Sequence, residues 1–221
     1  SNKDRNKHYV ISLIANGDLD NEFKKNCNKL IILNFHKNVF FIFQIFRLFK
    51  IIKEIKPDII HGWMYHSSLL ASLCGFILKI KNIHWNIRHT ELILFKSSFI
   101  TILIAKFMSF LSKNNPKKIV YCSEESKKFH SKFGFNNKNS TIINNGVDIN
   151  IFKKSEIKKN KIIEKLNITD DEFIIGMIAN YRPQKNHKFF IKSIGQFKNK
   201  NIPFKVILAG RNINKNNKEL K

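Results

Sequence analysis

The sequence predicts an α/β fold in which a parallel sheet wrapped by helices forms a first domain and a second, incomplete layer of the same kind follows it. Three observations carry that expectation. Short β-rich runs alternate with longer amphipathic ones almost from end to end, and such alternation implies a parallel sheet with helical cover on both faces. Punctuation falls between the runs, at Pro57, Ser123 and Gly134. After "TIINNGVD" the pattern lapses into a stretch rich in Lys, Asn and Ser, Ile149 to Asn160, and then resumes.

Taken in order, Tyr9 to Ile14 and Leu30 to Leu33 read as strands. Phe40 to Ile55 reads as a helix, with apolar residues at three- and four-residue intervals and charges between them. Pro57 stops it, because the residue before a proline is pushed out of helical dihedrals. Ile59 to His61 is the next strand, Ser67 to Lys79 a helix, Ile83 to Ile87 a strand, Ser98 to Ser112 a helix and Ile119 to Cys122 a strand. Ser123 then caps a helix whose first turn carries Glu124 and Glu125, where the macrodipole favours anions, and Gly134 closes it after Phe133. The lapse after Asp148 places a domain boundary there, giving domains 1–148 and 149–221. The second domain holds a short helix at Lys161 to Leu166, a strand at Phe173 to Ala179, a helix near Asn186 to Phe197 and a strand at Phe204 to Ala209. Two strands and one crossover are too few to cover a sheet, so this domain reads as cut short. Both domains are Rossmann-like in pattern.

Composition narrows the partners. The chain has 221 residues, 43% of them hydrophobic, enough for a real core. A net charge of +24 and a pI near 10.0 point toward nucleic acid, anionic lipid or a phosphorylated substrate. Coding bias competes as the source, because Lys, Asn, Ile and Phe, the residues of A/T-rich codons, are all abundant and the lysines are scattered. No nucleic-acid motif accompanies the charge, so no nucleic-acid partner is expected. Cys27, Cys74 and Cys122 are too far apart for a disulfide framework or a zinc site, which fits a reducing, cytoplasmic setting, and the first residues show no export signal. The longest apolar segments, Val39 to Ile55 and Ser97 to Ser112, are broken by Arg47, Lys50, Lys53 and Lys106, short of the roughly 18 uninterrupted residues a spanning helix needs. They leave room for contact with an anionic inner membrane face but not for crossing it.

Chemistry-bearing residues gather in a few stretches. In "PDIIHGWMYHSSLLA" a buried strand hands over to a helix, the place where open α/β sheets bind ligands. His61 and His66 flank that turn. For His66 a catalytic role and a structural hydrogen bond or cap both stay open, whereas His61 reads first as buried at the strand end. In "HWNIRHT", Arg88 and His89 follow a strand and suit either an anionic ligand or a salt bridge at the rim. Trp63 and Trp85 read as core. "NYRPQKN" sets Arg182 and Lys185 on a loop after a strand and just before a helix N-terminus, where free amides and the dipole also favour anions. No H-E-x-x-H, no carboxylate at ligand spacing from a histidine, no G-x-S-x-G turn and no P-loop occur, so neither metal nor cofactor is expected.

"PDIIHGWMYHSSLLASL", "VYCSEESKKFHSKFGFNNKNSTIINNGVDINIF" and "IGMIANYRPQKNHKFFIKSI", in that order, resemble the retaining, nucleotide-sugar-dependent glycosyltransferases of family 4, especially members that build bacterial surface polysaccharides. The resemblance implies the GT-B fold of two Rossmann-like domains. It implies a UDP- or GDP-sugar donor, a lipid-linked or saccharide acceptor, His66 as a catalytic group, and His61, Arg88 and His89 in the acceptor or sugar cleft. Asn145, Gly146 and Asp148 would line the passage between domains, with Arg182 and Lys185 on the donor diphosphate. The family's usual arginine stands five residues before the lysine, where this chain has Asn180. Its first strand with a glycine-rich turn and its later pair of glutamates are absent from this sequence, so the chain alone is expected to be inactive. A basic membrane-surface module without catalysis and a GT-B-like nucleotide-sugar epimerase are the alternatives.

Overall fold

The computed structural model describes residues 5–14, 17, 19–35, 41–90, 92, 98–196, 203–214 and 216–220. Phe40 and Phe197, named above as helix ends, lie outside the described residues. The chain divides into two compact units, Ser1–Gly146 and Val147–Lys221.

In the first unit the order is β1 (Tyr9–Ser12), α1 (Asp20–Asn26), β2 (Lys29–Ile32), α2 (Phe41–Ile55), β3 (Ile60–Trp63), α3 (Met64–Leu78), β4 (Ile83–Ile87), α4 (Phe99–Leu111), β5 (Lys118–Tyr121), α5 (Glu124–Phe133) and β6 (Ser140–Ile142). Every strand pairing is parallel. β3, β4, β5 and β6 form one sheet in that order, and β1 pairs with β2 in a separate sheet. The register sets Gly62 beside Trp85, Trp85 beside Ile119 and Tyr121 beside Ile142, so these residues share a face. Against it pack Tyr65 and Ala71 of α3, Ala105 and Met108 of α4, and Phe129 and Phe133 of α5. Trp85 is wholly buried there, and its indole N–H donates to Ser72 Oγ at 2.9 Å, the partner that a buried indole requires.

The opposite face corrects two expectations. Cover on both faces follows from the strand pattern; on the face turned away from Trp85 and Tyr121 it is partial, with Asn86 and Val120 buried while His61, Trp63 and Lys118 remain exposed. Trp63, expected in the core, is 55% exposed. His61 sits mid-strand on that open face rather than buried at a strand end, its ring edge-on to His84 at 4.8 Å. A second cluster, Leu33, Leu48, Ile52 and Cys74, ties the end of β2 to α2 and α3. Burial pushes the Cys74 thiol up to about 12, which keeps it protonated and inert.

Local signals hold where they are strong. Ser123 Oγ accepts from Ser126 N at 3.1 Å, and Gly134 takes the left-handed conformation (φ 109°) that ends α5. α3 begins at Met64, three residues before the expected Ser67. The second unit contains α6 (Glu156–Lys165), β7 (Phe173–Ile178), a 3-10 turn at Pro183–Lys185, α7 (His187–Gly195) and β8 (Phe204–Ala209). β7 and β8 pair in parallel, Phe173 beside Phe204 and Ile178 beside Ala209, with α7 in the crossover. α6 is longer than the expected Lys161 to Leu166, because Ser155 caps it and Glu156 opens its first turn.

Candidate functional site

The turn from β3 to α3 is built without spare room. Gly62 lies so close to the helix that a Cβ placed on it would stand 2.3 Å from Ser68 Cα, and Ser68 Oγ donates back to the Gly62 carbonyl at 2.9 Å. Met64 turns the chain by adopting φ 66°, a region that costs a residue with a side chain on the order of 1–2 kcal/mol. Strain of this kind collects at functional turns. His66 follows in the first turn of α3, exposed and with no partner among the described residues.

From the end of β4, Arg88 reaches across the sheet edge. Its Nη1 donates to the Ile143 carbonyl at 2.8 Å and to Asn145 Oδ1 at 3.1 Å, while its guanidinium lies 5.3 Å from the Trp63 ring centroid. Arg88 thus fastens the ends of β3 and β4 to the segment after β6. Its Nε is buried without a hydrogen bond.

Beneath the turn runs a buried relay. His130 Nδ1 lies 2.7 Å from the Ser126 carbonyl, which can only accept, so Nδ1 carries the proton and Nε2 accepts from the Tyr65 hydroxyl at 2.7 Å. Burial raises the Tyr65 phenol above its ordinary value, which keeps it a donor. Ser126 Oγ in turn donates to the His89 carbonyl, and the His89 ring lies 6.4 Å from that of Tyr65. The helix that presents His66 and the loop that presents His89 are therefore fixed to α5 through one network.

Burial holds His130 below its ordinary pKa of 6.5. In the unfolded chain this imidazole takes up a proton as the pH falls through about 6.5, whereas in the fold it does not. The unfolded state then binds more protons, so stability is complete above that pH and declines below it. The melting temperature is expected to fall between pH 7.5 and 5.5 (about one unit either side of the free imidazole), and His130→Gln to flatten the decline. Equal slopes in the two proteins would refute this. Tyr65→Phe, which leaves Nε2 buried without its donor, is expected to cost about 1–3 kcal/mol.

Asn145 accepts from Arg88, a Cβ on Gly146 would meet nothing within 4 Å, and Asp148 caps a turn, its Oδ1 accepting from Asn150 N at 2.9 Å. In the second unit the loop after β7 carries the cations. Asn180 Oδ1 accepts from Arg211 N at 2.8 Å, Tyr181 N donates to the Arg211 carbonyl at 2.9 Å, and the Tyr181 hydroxyl donates to Glu219 at 2.8 Å. Gly210 fits against the end of β7 so closely that a Cβ would stand 2.1 Å from the Ala179 carbonyl oxygen. His187, buried at the start of α7, points Nε2 at that oxygen from 3.3 Å and stacks near Tyr181. On this pinned backbone Arg182 and Lys185 are exposed and unpaired among the described residues, immediately before α7.

His130, Tyr181, His187 and Gly210 are not among the residues that the sequence pattern singles out. Glycine beside a strand end is the one signal among them that sequence alone offers. A cavity of about 330 Å³, lined among others by Lys113, Pro116, Asn136 and Lys138, lies near where β5 and β6 begin, at the other end of the sheet, and none of the candidate residues lines it. Among the described residues no three His, Cys, Asp or Glu side chains cluster closely enough to hold a metal ion, and no helix is long and apolar enough to cross a membrane.

Residues 4–151 match the model of Glycosyltransferase Family 4. The putative glycosyltransferase EpsF of Bacillus subtilis (strain 168) is 28% identical over 99 residues, 43% of this chain and 25% of that protein. Among solved structures, Anabaena Alr3699/HepE in complex with UDP-glucose superposes with a TM-score of 0.71 at 15% identity, over 90% of this chain and 52% of that one. A glycosyltransferase from Rickettsia africae ESF-5 superposes with a TM-score of 0.66 at 22% identity, over 92% and 52%. The chain spans about half the length of these two solved proteins, and it shares their α/β fold of parallel sheets, that of the GT-B glycosyltransferases. The chain belongs to Glycosyltransferase Family 4.

Proposed function

We infer that this chain is the acceptor-side domain and the opening of the donor domain of a retaining glycosyltransferase. It serves transfer of a sugar from a UDP- or GDP-sugar to a lipid-linked or saccharide acceptor in bacterial surface-polysaccharide synthesis, at the cytoplasmic membrane face. The observation that carries this reading is the family match over residues 4–151. The cationic loop supports it chemically. A nucleotide-sugar departs as a diphosphate, and negative charge develops on the bridging oxygen as the glycosidic bond breaks. Lys185 and Arg182 supply cations beside the free amides that open α7, on a backbone already pinned at both sides, so little reorganisation is needed when that charge appears. No metal or other cofactor has a part in this reading. His66 would meet the reacting sugar from the first unit. Arg88, His89 and His61 would belong to the acceptor side, and Asn145, Gly146 and Asp148 to the segment of chain where the first unit ends.

The diphosphate assignment is tested on the chain as it stands. In amide-resolved NMR, UDP is expected to shift the signals of residues 182–189 with a Kd of about 1 mM or weaker, an affinity near 4 kcal/mol. Uridine, lacking phosphate, is expected to leave them unmoved. Shifts of equal size with uridine, or none with UDP at several millimolar (a few times that Kd), would remove Arg182 and Lys185 from the site.

A further inference from the structure

The segment that leaves β6 carries the pair Asn145–Gly146, and its surroundings suit a reaction of the chain upon itself. An asparagine side chain closes into a five-membered ring when the backbone nitrogen of the next residue reaches its Cγ. Glycine hinders this least, having no Cβ and the widest backbone freedom. Residues 143–148 belong to no helix or strand, Asn145 and Gly146 are both exposed, and a Cβ on Gly146 would meet nothing within 4 Å. The ring therefore has room to form. Neither the Gly146 amide nor Asn145 Nδ2 has a hydrogen-bond partner among the described residues, so the attacking nitrogen and the leaving group are both free.

Asn145 Oδ1, by contrast, is held. It accepts from Arg88 Nη1 at 3.1 Å. As nitrogen adds to Cγ, negative charge develops on this oxygen, and a fixed guanidinium donor stabilises it as the donor of an oxyanion hole does. Arg88 is itself anchored by the Ile143 carbonyl at 2.8 Å and lies 5.3 Å from the Trp63 ring centroid, so the donor is in place before the reaction begins. The other Asn–Gly pair, Asn16–Gly17, gives a contrast: the Gly17 N–H donates to Asp20 Oδ2 at 3.1 Å, and that carboxylate opposes loss of the proton. Asn144, exposed in the same segment as Asn145, is followed by a residue whose side chain hinders closure.

We propose that Asn145–Gly146 is a self-modification site, at which the chain deamidates with Arg88 as both the activating group and the partner of the carboxylate formed. The Gly146 nitrogen gives its proton to solvent and bonds to Asn145 Cγ; the Cγ–Nδ2 bond breaks, and Nδ2 takes a proton from solvent and leaves as ammonia. Water then opens the ring at either carbonyl carbon, and the Gly146 nitrogen regains its hydrogen. Opening at Cγ yields aspartate, and opening at the main-chain carbon yields isoaspartate. One water is consumed and one ammonia released, with no change of oxidation state. In the aspartate product a carboxylate stands on Arg88 in place of the amide oxygen, in a stronger, charge-assisted bond that neutralises the guanidinium. Deamidation thereby withdraws Arg88 from any anionic ligand. The residues all belong to the first unit, and the proposal holds whether or not the sugar-transfer reading does.

The test ages the purified chain in mildly alkaline buffer made with heavy-oxygen water and follows each asparagine by peptide mass spectrometry. Asn145 is expected to become a mixture of aspartate and isoaspartate carrying one heavy oxygen, severalfold faster than Asn16 reacts, while Asn144 stays an amide. Gly146→Ala should suppress the conversion. Arg88→Gln is expected to slow it severalfold, and Arg88→Lys to keep part of the rate. Loosening the segment would by itself speed closure, so a slower Arg88→Gln protein cannot be explained by lost structure. In Asn145→Asp, measured by NMR, the carboxyl is expected to titrate below the ordinary value of about 3.9, and adding Arg88→Gln to bring it back. Asn145 converting no faster than Asn16, an equal or faster rate in Arg88→Gln, or an unshifted carboxyl in Asn145→Asp would overturn the proposal.

Discussion

Gly62→Ala is expected to destroy the cooperative fold of the first unit. A methyl group at this position would stand 2.3 Å from Ser68 Cα and 2.7 Å from Ser68 N, and both are backbone atoms that cannot rotate aside. The helix would have to lift. α3 supplies Tyr65 and Ala71 to the main core, Cys74 to the second one and Ser72 to the Trp85 indole, so lifting it disturbs all three at once. Overpacking a core usually costs about 1–3 kcal/mol, and a backbone obstruction under the central helix belongs above that range. Whole domains are stable by only about 5–15 kcal/mol. Gly75→Ala is a graded comparison: its Cβ would meet Ile83 Cδ1 at 2.6 Å, a side-chain end that can yield. Gly146→Ala meets nothing within 4 Å and is expected to leave stability within about 0.5 kcal/mol. Urea unfolding followed by tryptophan emission measures all three. A Gly62→Ala protein unfolding at the wild-type midpoint would mean that α3 does not sit on the strand as described.

The same position shows what a sequence can and cannot disclose. The stretch around Gly62 stands out because polar and aromatic residues interrupt an apolar run, which is a local pattern. The reason for glycine is the approach of Ser68, visible only once the helix is in place. α5 was legible at both ends because Ser123 and Gly134 each act within one turn of chain. α1 was missed: seven residues with none buried leave no apolar period to read. β6 was missed too, since three residues become a strand only by pairing with β5. The early start of α3 depends on Met64 entering the left-handed region, which nothing in a methionine announces. Among the candidate residues, Arg88 was visible as a cation after a strand, but its partners Ile143 and Asn145 lie 55 and 57 positions downstream. Tyr65 and His130 are likewise 65 apart, so the relay that fixes the turn has no signature in either neighbourhood.

Under the proposed sugar transfer, Lys185→Ala is expected to lower kcat by about 10²–10³, or roughly 3–4 kcal/mol of transition-state stabilisation. Charge on the departing diphosphate is greater in the transition state than in the bound donor, so a cation placed against it acts on kcat more than on KM. The geometry suits that use. Lys185 ends the 3-10 turn, its amide donates to the Arg182 carbonyl at 2.9 Å, and Asn186 then takes φ 51° so that α7 can begin at His187. The lysine thus stands on rigid backbone at the mouth of a helix, with no carboxylate partner among the described residues to neutralise it. Lys188, the second residue of α7, is the internal comparison, because its ammonium already lies 3.8 Å from Glu219. Lys188→Ala is expected to change kcat less than about threefold, as losing an exposed pair does. Lys185→Arg should recover part of the rate, since charge is kept while the compact ammonium is not. Transfer of labelled sugar under saturating donor measures each variant. A Lys185→Ala enzyme that keeps its kcat and loses only affinity would show that the loop holds the nucleotide in the ground state and leaves the charge of bond breaking to other groups.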